Sequence, residues 1–360
     1  RQMNRQMKSM TRPPANRLPN PVPVLSLESQ PATAIPRPAQ WRALDGVVLL
    51  DKPIGQTSNQ ALQSVRRLFG ASKGGHTGTL DPFATGVLPL CLGEATKFSA
   101  DLLNADKSYI ATVQFGSTTD TGDLTGQVSQ STECLPSPEA LQSILAEFTG
   151  ESEQIPPMYS ALKRDGQPLY KLARAGIEVE RQPRKIHLSD LAWSDAVTDA
   201  AGRVVSANLA VRCSKGTYIR TLAEDIARAV GSLAHLTALR RTRVGDVSLE
   251  GCKTMEALVT ESVALNPEPA TLPQDLLCQA ALLQPADFLV QNLPRLDITE
   301  RQAVLCRHGN PFVAEPGQNL PIGVSLRFYL DGRFIGIGQA VVDKKDVKIQ
   351  PVRLVSTGNS

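Results

Sequence analysis

The chain has 360 residues, 41% hydrophobic and 20% charged, with a formal net charge of +3; that length holds two or three domains of the usual ~100–200 residues, and the composition excludes collagen-like and wholly disordered classes. No apolar run approaches the ~18–20 residues that span a bilayer, the longest, Gly86–Gly93, being broken by Pro89, so a membrane-embedded protein is not expected. The charge is uneven: residues 1–44 carry seven basic residues and one acid, net +6, and the remainder, with 31 basic and 34 acidic residues, is net −3. Polyanion binding by the folded part therefore needs local clusters of Lys and Arg.

Residues 1–43 contain eight prolines and no helical or strand period, and read as a disordered basic tail. A solvated arm, an arm adding sequence-independent RNA affinity and a transit peptide are its alternatives. Order is expected from Gly46. Val47-Val48-Leu49-Leu50 reads as a buried strand, followed by a helix capped at Thr57 or Ser58, with Ala61, Leu62, Val65, Leu68 and Phe69 on one face and Gly70 as its stop. Residues 71–86 read as a Gly/Thr-rich loop. Lys107 to Gly116 alternates as a strand, with Tyr109, Ala111, Val113 and Phe115 on one side. Ser137-Pro138 opens a helix that ends before Gly150, and a third helix is expected from about Thr217 to Val230. Residues 260–285 are Pro-rich and weakly patterned, and read as a linker or packed loop. Val324–Leu330, Asp331-Gly332 and Arg333–Val342 form a β-hairpin signal with a type I′ turn.

The six cysteines (Cys91, Cys134, Cys213, Cys252, Cys278, Cys306) include no CxxC pair, and the four histidines (His76, His187, His235, His308) lie far apart. Neither metal-ligand spacing nor a disulfide framework is present. No metal is expected, and reduced thiols suit an intracellular, cytoplasmic protein.

Two features stand out chemically. Gly74–Gly86 places four glycines and three threonines around one carboxylate, Asp81, which suggests a loop whose backbone approaches a ligand. It matches neither the Walker A pattern nor GxGxxG. Pro82 pushes Asp81 towards an extended conformation that aims the carboxylate; a tight turn in which Asp81 caps local amides is the plainer reading. The second feature is Arg220, near the positive end of the expected 217–230 helix, where a cation is disfavoured by a few tenths to ~1 kcal/mol. A buried carboxylate such as Asp81 would offset that cost; a solvated arginine is the alternative.

Several ordered stretches carry a family resemblance. Gly75-His76-Thr77-Gly78-Thr79-Leu80-Asp81-Pro82-Phe83-Ala84-Thr85-Gly86-Val87-Leu88 closely resembles the catalytic motif of the TruB-type tRNA pseudouridine synthases, which isomerise the uridine at tRNA position 55 in the T loop. Leu50-Asp51-Lys52-Pro53 with Gly55 and Thr57-Ser58 is similar to the first motif of that family. Lys107-Ser108-Tyr109 resembles its tyrosine strand, and Phe115-Gly116 with Thr119-Asp120-Thr121 and Asp123 the loop that follows. Tyr159-Ser160-Ala161-Leu162-Lys163 with Leu169-Tyr170 resembles its RNA-gripping insertion. Cys213–Arg220 and Leu239-Arg240-Arg241-Thr242 complete the series, which covers roughly residues 44–250.

The resemblance implies Asp81 as the catalytic aspartate, Tyr109 as the tyrosine that stacks on the base and assists proton movement, and Arg220 as the ion-pair partner of Asp81. It implies His76 filling space near the extruded nucleotide, and Lys52, Pro53, Tyr218 and Leu239 shaping the uridine pocket. The clusters Lys163-Arg164, Arg181 with Arg184-Lys185, and Arg240-Arg241 with Arg243 would contact phosphates. Moving the glycosidic bond from N1 to C5 needs no redox change and no external group, so no cofactor is implied. An ionised carboxylate can attack C1′ or assist proton removal, and an adjacent cation favours that charged form, in a bidentate pair if geometry allows.

The implied fold is α/β (α+β). A mixed-sheet pseudouridine synthase catalytic domain would span 44–285, with an insertion at about 158–185 gripping the T arm. A small β-barrel, PUA-like RNA-binding domain would span 290–357, on Gly309-Asn310-Pro311, Phe334–Gly338 and Pro351–Leu354; a stabilising β appendage is the alternative there. The expected partner is tRNA through its T stem-loop, with no obligate protein partner, and a monomer is the default. A non-catalytic tRNA-folding chaperone and a synthase guided to other RNA by partner subunits are the rival readings. Asp81, Tyr109 and Arg220 together argue against the first, and the insertion against the second.

Overall fold

A computed structural model of the chain describes residues 35, 37–313, 320, 322–343 and 346–356, so most of the expected tail lies outside the described residues. Packed chain begins ahead of Gly46: the Arg42 amide donates to Gly70 O at 2.8 Å, its Nε donates to Phe69 O at 3.1 Å, and Leu44 is buried.

Strand β1 (Gly46–Lys52) is continuously apolar because both of its faces are covered: Val48 and Leu50 enter the main core, Val47 and Leu49 a smaller one. Helix α1 (Ser58–Phe69) starts at a capping box between Thr57 and Gln60 and stops at Gly70 in the left-handed region, φ 65°. The stretch expected as loop contains a short strand, β2 (Gly74–His76), paired antiparallel with β3 (Thr85–Leu92). It lies tight under α1, where a Cβ on Gly74 would come within 2.9 Å of the Arg66 side chain. After the short helix α2 (Ala100–Asn104), β4 (Lys107–Phe115) turns Ala111, Val113 and Phe115 into the main core with Tyr109 packed against it.

The side hairpin β5 (Ser117–Thr119) and β6 (Val128–Ser131) precedes α3 (Pro138–Phe148), which Ser137 caps through the Ala140 amide. Strand β7 (Gly150–Gln154) follows, then the small hairpin β8 (Lys163–Arg164) and β9 (Gln167–Pro168) with helix α4 (Leu169–Arg174). The long strands β10 (Arg184–Thr198) and β11 (Val204–Cys213) lead to α5 (Ile219–Ala229). This helix starts two residues later than expected because Thr217 Oγ1 turns back to donate to Ser214 O at 3.0 Å. Strand β12 (Ala234–Val244) and the short β13 (Val247–Ser248) complete a sheet of order β1-β3-β12-β4-β11-β10-β7, with β2 on β3 and β13 on β12. Its β3–β12 pairing is parallel and its other pairings antiparallel. Helices α1, α3 and α5 pack on one face.

Residues 260–285 are not a linker. The end of helix α6 (Met255–Leu265) and helix α7 (Gln274–Gln279) lie in this region, which is otherwise packed loop, and Leu272, Leu277, Leu282 and Leu283 join the main core. The segment straps β1: Lys253 N donates to Leu49 O at 2.9 Å, and Val47 N donates to Gln284 O at 2.9 Å.

The C-terminal part is a second, curled sheet built from β14 (Arg295–Asp297), β15 (Phe312–Val313), β16 (Ser325–Leu330), β17 (Arg333–Asp343) and β18 (Asp346–Leu354), in the order β14-β16-β17-β18-β15. Helix α8 (Glu300–Arg307) contributes Ala303 and Cys306 to its core beside Phe312, Phe328 and Ile349. The expected turn is present, with Asp331 at φ 48° and Gly332 at φ 76°, the signs a type I′ turn requires. This sheet touches the short helical turn after β3, through Phe98 and Phe334, with ring centroids 5.1 Å apart, and through Lys97 Nζ donating to Leu354 O at 2.9 Å.

Candidate active site

One transverse row of the large sheet supplies the floor of the site. Lys52 on β1 stands opposite Gly86 on β3, Gly86 opposite Arg241 on β12, Arg241 opposite Tyr109 on β4, and Tyr109 opposite Val211 on β11. Residues directly opposed across strands share a face, here the helix-covered one. Gly86 is required in this row. It sits at φ +106°, and a Cβ there would lie 2.1 Å from Arg241 O and 2.8 Å from Arg241 N, which no side-chain motion can relieve. Gly86→Ala is therefore expected to destabilise the fold by at least about 3 kcal/mol through forced backbone movement and left-handed strain, read as a large fall in the denaturant midpoint.

Asp81 hangs over this floor on the loop between β2 and β3, and that loop is stapled from below. Ser58 Oγ accepts from the Leu80 amide at 2.8 Å, and Gly55 N donates to Pro82 O at 2.8 Å. Lys52 Nζ donates to Gln56 O at 2.6 Å, Pro53 O at 2.9 Å and Pro82 O at 3.4 Å, so Lys52 and Pro53 shape the loop. Burial pushes the Lys52 ammonium down to about 8, against Asp81, which raises it. Leu80 and Phe83 anchor the loop in the core, leaving the Asp81 side chain 36% exposed.

Arg220 approaches from the first turn of α5. Its Nε lies 3.1 Å from Asp81 Oδ2, its Nη1 donates to Thr121 O at 2.6 Å, and its Nη2 donates to Tyr159 O at 2.7 Å. The pair with Asp81 is not bidentate, because both terminal nitrogens are engaged elsewhere. Nη1 also lies 3.7 Å from the buried Asp123 Oδ2. Burial raises the Asp81 carboxyl above its ordinary value, Asp123 adds to that, and Arg220 and Lys52 oppose it. The arrangement can present a carboxylate of raised basicity, held in one direction, to a ligand above the sheet.

The other expected residues fall around this centre. His76, on β2, is partly buried with no partner for Nδ1; burial and then Arg241 lower its pKa, so it is neutral at pH 7. Leu239 stands opposite Ala111, one step along the same face as Arg241. Tyr218 caps α5, and its backbone is clamped by Gln154, whose Oε1 accepts from Tyr218 N at 2.8 Å and whose Nε2 donates to Tyr218 O at 3.1 Å. Gln154 was missed in the sequence, where residues 151–154 carry no motif. Asp123, quoted above only within a motif, is the other omission. Its carboxylate accepts from Thr121 Oγ1, Thr125 N and Thr125 Oγ1 at 2.9, 2.9 and 2.5 Å.

The phosphate-contact expectation needs correction at its last cluster. Arg240 is held in a bidentate pair with Asp51, at 2.6 and 3.1 Å, and Arg241 is 1% exposed, so neither is offered to a backbone at the surface. Adjacent strand residues point to opposite faces, and both faces of β12 are covered here. Lys163, Arg164, Arg184, Lys185 and Arg243 are exposed. Among the described residues, no group of three or more His, Cys, Asp or Glu is placed to hold a metal ion, and no helix is long and apolar enough to cross a membrane.

Comparison with known proteins converges on the same region. Residues 66–219 match the model of the TruB family pseudouridylate synthase N-terminal domain, and residues 220–291 that of the tRNA pseudouridylate synthase B C-terminal domain. The chain is 50% identical over 301 residues to tRNA pseudouridine synthase B of Dechloromonas aromatica (strain RCB), covering 83% of this chain and 92% of that protein. It is 46% identical over 317 residues to the same-named protein of Azoarcus sp. (strain BH72), covering 88% and 96%. Among solved structures, an H/ACA RNP bound to a substrate RNA containing 2′-deoxyuridine aligns with a TM-score of 0.62 at 22% identity, covering 86% of this chain and 85% of that one. A Cbf5-Nop10-Gar1 complex aligns at 0.60 and 23%, covering 90% and 92%. These two likenesses establish the fold: a mixed-sheet α/β domain with a curled C-terminal sheet. The two matching family models and the relatives at 46–50% identity show that the chain belongs to the TruB family of pseudouridylate synthases.

Proposed function

We propose that this enzyme isomerises uridine to pseudouridine at position 55 in the T loop of tRNA, with Asp81 as nucleophile and no cofactor. The observation that carries this is the placement of Asp81: a carboxylate gripped by Arg220 Nε at 3.1 Å, one-third exposed, above the row of Lys52, Arg241 and Tyr109. The relatives' name, tRNA pseudouridine synthase B, supplies the substrate class.

The chemistry follows from these groups. The ionised Asp81 attacks C1′, or removes a proton near it, as the C1′–N1 bond breaks. Tyr109 offers a stacking face to the base and a phenol for proton movement, and Leu239 and Tyr218 bound the pocket. The target base must leave its loop at a cost of a few kcal/mol, and neutral His76, at the end of the strand that leads into the Asp81 loop, would fill the gap. The exposed Lys163, Arg164, Arg184 and Lys185, on and beside the 158–185 insertion, would meet T-arm phosphates in recognition by shape. Tyr159 O, bonded to Arg220, links that insertion to the site. The curled sheet from residue 290 onward is assigned as a PUA-like RNA-binding domain, with the catalytic domain at 44–285.

The test is single-turnover conversion of a T-arm stem-loop containing uridine 55, without metal or added cofactor. Pseudouridine formed at that position supports the reading. Tight binding without conversion would favour a chaperone or a different RNA target.

A further inference from the structure

Arg241 is a large, fully buried side chain, 1% exposed, for which no carboxylate lies within ion-pair distance among the described residues. Taking a guanidinium out of water costs several kcal/mol unless its donors are met. Two of them are met by the arms of the Asp81 loop: Nε donates to Val87 O at 2.8 Å and Nη2 to Gly78 O at 3.4 Å. Its Nη1 lies 3.5 Å from where a Gly78 Cβ would stand. The residue directly opposite on β4 is Tyr109, on the same face, and the Arg241 charge favours the ionised form of its phenol. The surroundings are otherwise basic, since Arg241 also depresses Lys52, Lys107 and His76. A cation kept at this depth without an acidic partner is suited to negative charge that arises only during reaction.

We propose that Arg241 is a positioning residue for Tyr109: it ties the two arms of the Asp81 loop together and presents the cationic face against which the Tyr109 oxygen carries negative charge before it takes the C5 proton. This inference rests on the isomerase reading above. Joining C1′ to C5 leaves one hydrogen too many on that carbon. Tyr109 gives its phenolic proton to N1 of the turned base, the nitrogen that carries hydrogen in the product; the C5–H bond then breaks, its proton passes to the Tyr109 oxygen, and its electron pair restores the C5–C6 double bond as the N1–C6 π pair returns to N1. A phenol that faces a buried guanidinium across the sheet has its ionised form favoured. The ionisable and charged groups facing Tyr109 are Arg241 from β12, Cys213 from β11 and Asp81 from the loop. Burial pushes the phenol up, Arg241 opposes that most strongly, and Cys213 and Asp81 add to the rise.

The test is a double-mutant cycle on the full chain, read by single-turnover conversion of the T-arm stem-loop, with dissociation constants measured separately. Arg241→Met is expected to lower the rate constant about 100-fold or more while affinity stays within about threefold. In a Tyr109→Phe background the same change is expected to cost at least about tenfold less, because only its tie to the Asp81 loop is then left to lose. Arg241→Lys keeps a cation at that depth and is expected to recover at least about tenfold over the Met variant; should the Met variant fail to fold, the Lys variant carries the cycle. Tyrosinate absorbance in a difference titration against Tyr109→Phe isolates this phenol from the other four tyrosines, and its midpoint is expected to rise when Arg241 is replaced. Equal losses in both backgrounds with an unmoved midpoint overturn the inference. An inactive wild type would instead overturn the isomerase reading, so the two failures are distinguishable.

Discussion

Asp81→Asn is expected to remove conversion of the T-arm stem-loop by at least about 10,000-fold, the scale at which a group central to the chemistry is lost, while stem-loop affinity changes by no more than a few-fold. A carboxamide has nearly the shape of the carboxylate but is a poor nucleophile and a poor proton acceptor. The scaffold has reason to survive the change. Arg220 keeps Thr121 O, Tyr159 O and the nearby Asp123, and the loop keeps its staples from Ser58, Gly55 and Lys52. The sign of the stability effect follows from the raised Asp81 carboxyl. A carboxyl whose folded value lies above its unfolded value stabilises the fold at low pH, and that contribution is lost as pH rises through the folded value. At neutral pH its ionisation is therefore a cost that Asn removes, partly offset by the bond Arg220 loses, and the thermal transition is expected to stay close to wild type. Turnover retained by Asp81→Asn would remove Asp81 from the nucleophile role.

Much of this was legible in the sequence because it is local. The capping box at Thr57 and Gln60, the αL stop at Gly70, the Ser137-Pro138 start and the Asp331-Gly332 turn each depend on residues a few positions apart. The pairing of Asp81 with Arg220 was legible only through the motif resemblance and the awkward charge at a helix start. What escaped was long-range. Residues 255–285 look unpatterned because their helices are short and are wedged against β1 and α1, so the buried positions are chosen by neighbours some 200 residues away rather than by a single helical face. Arg240-Arg241 read as phosphate contacts because nothing local announces Asp51 as the partner of Arg240, 189 positions earlier. Nor does anything local reveal that three strands would bring Lys52, Gly86 and Tyr109 into line with Arg241. Gln154 is the same case, since a strand glutamine has no signal for clamping a helix cap.

Arg220→Ala is expected to cost at least about 2–3 kcal/mol of transition-state stabilisation, roughly 30- to 150-fold in kcat/KM, and to shift the pH dependence in a defined direction. Among the groups facing Asp81, Asp123 joins burial in raising its pKa, and Arg220 and Lys52 lower it, Arg220 being the larger of the two. Without Arg220 the carboxyl rises further. A reaction that needs the ionised carboxylate would then lose activity at a higher pH on the acid side, so the acid limb of the rate profile moves up. Arg220→Ala also removes the donors to Thr121 O and Tyr159 O and the cation beside the Asp123 carboxylate, and breaking a buried charge network typically costs about 3–5 kcal/mol of stability. Arg220→Lys separates the two effects. An ammonium at that depth still opposes the rise of Asp81, but it cannot reach the loop, the insertion and the aspartate in the directions a guanidinium does. The Lys variant should therefore hold its acid limb nearer to wild type while remaining slow, and the Ala variant should show both defects. A loss of only a few-fold in Arg220→Ala, with the acid limb unmoved, would show that the two residues are neighbours without catalytic coupling.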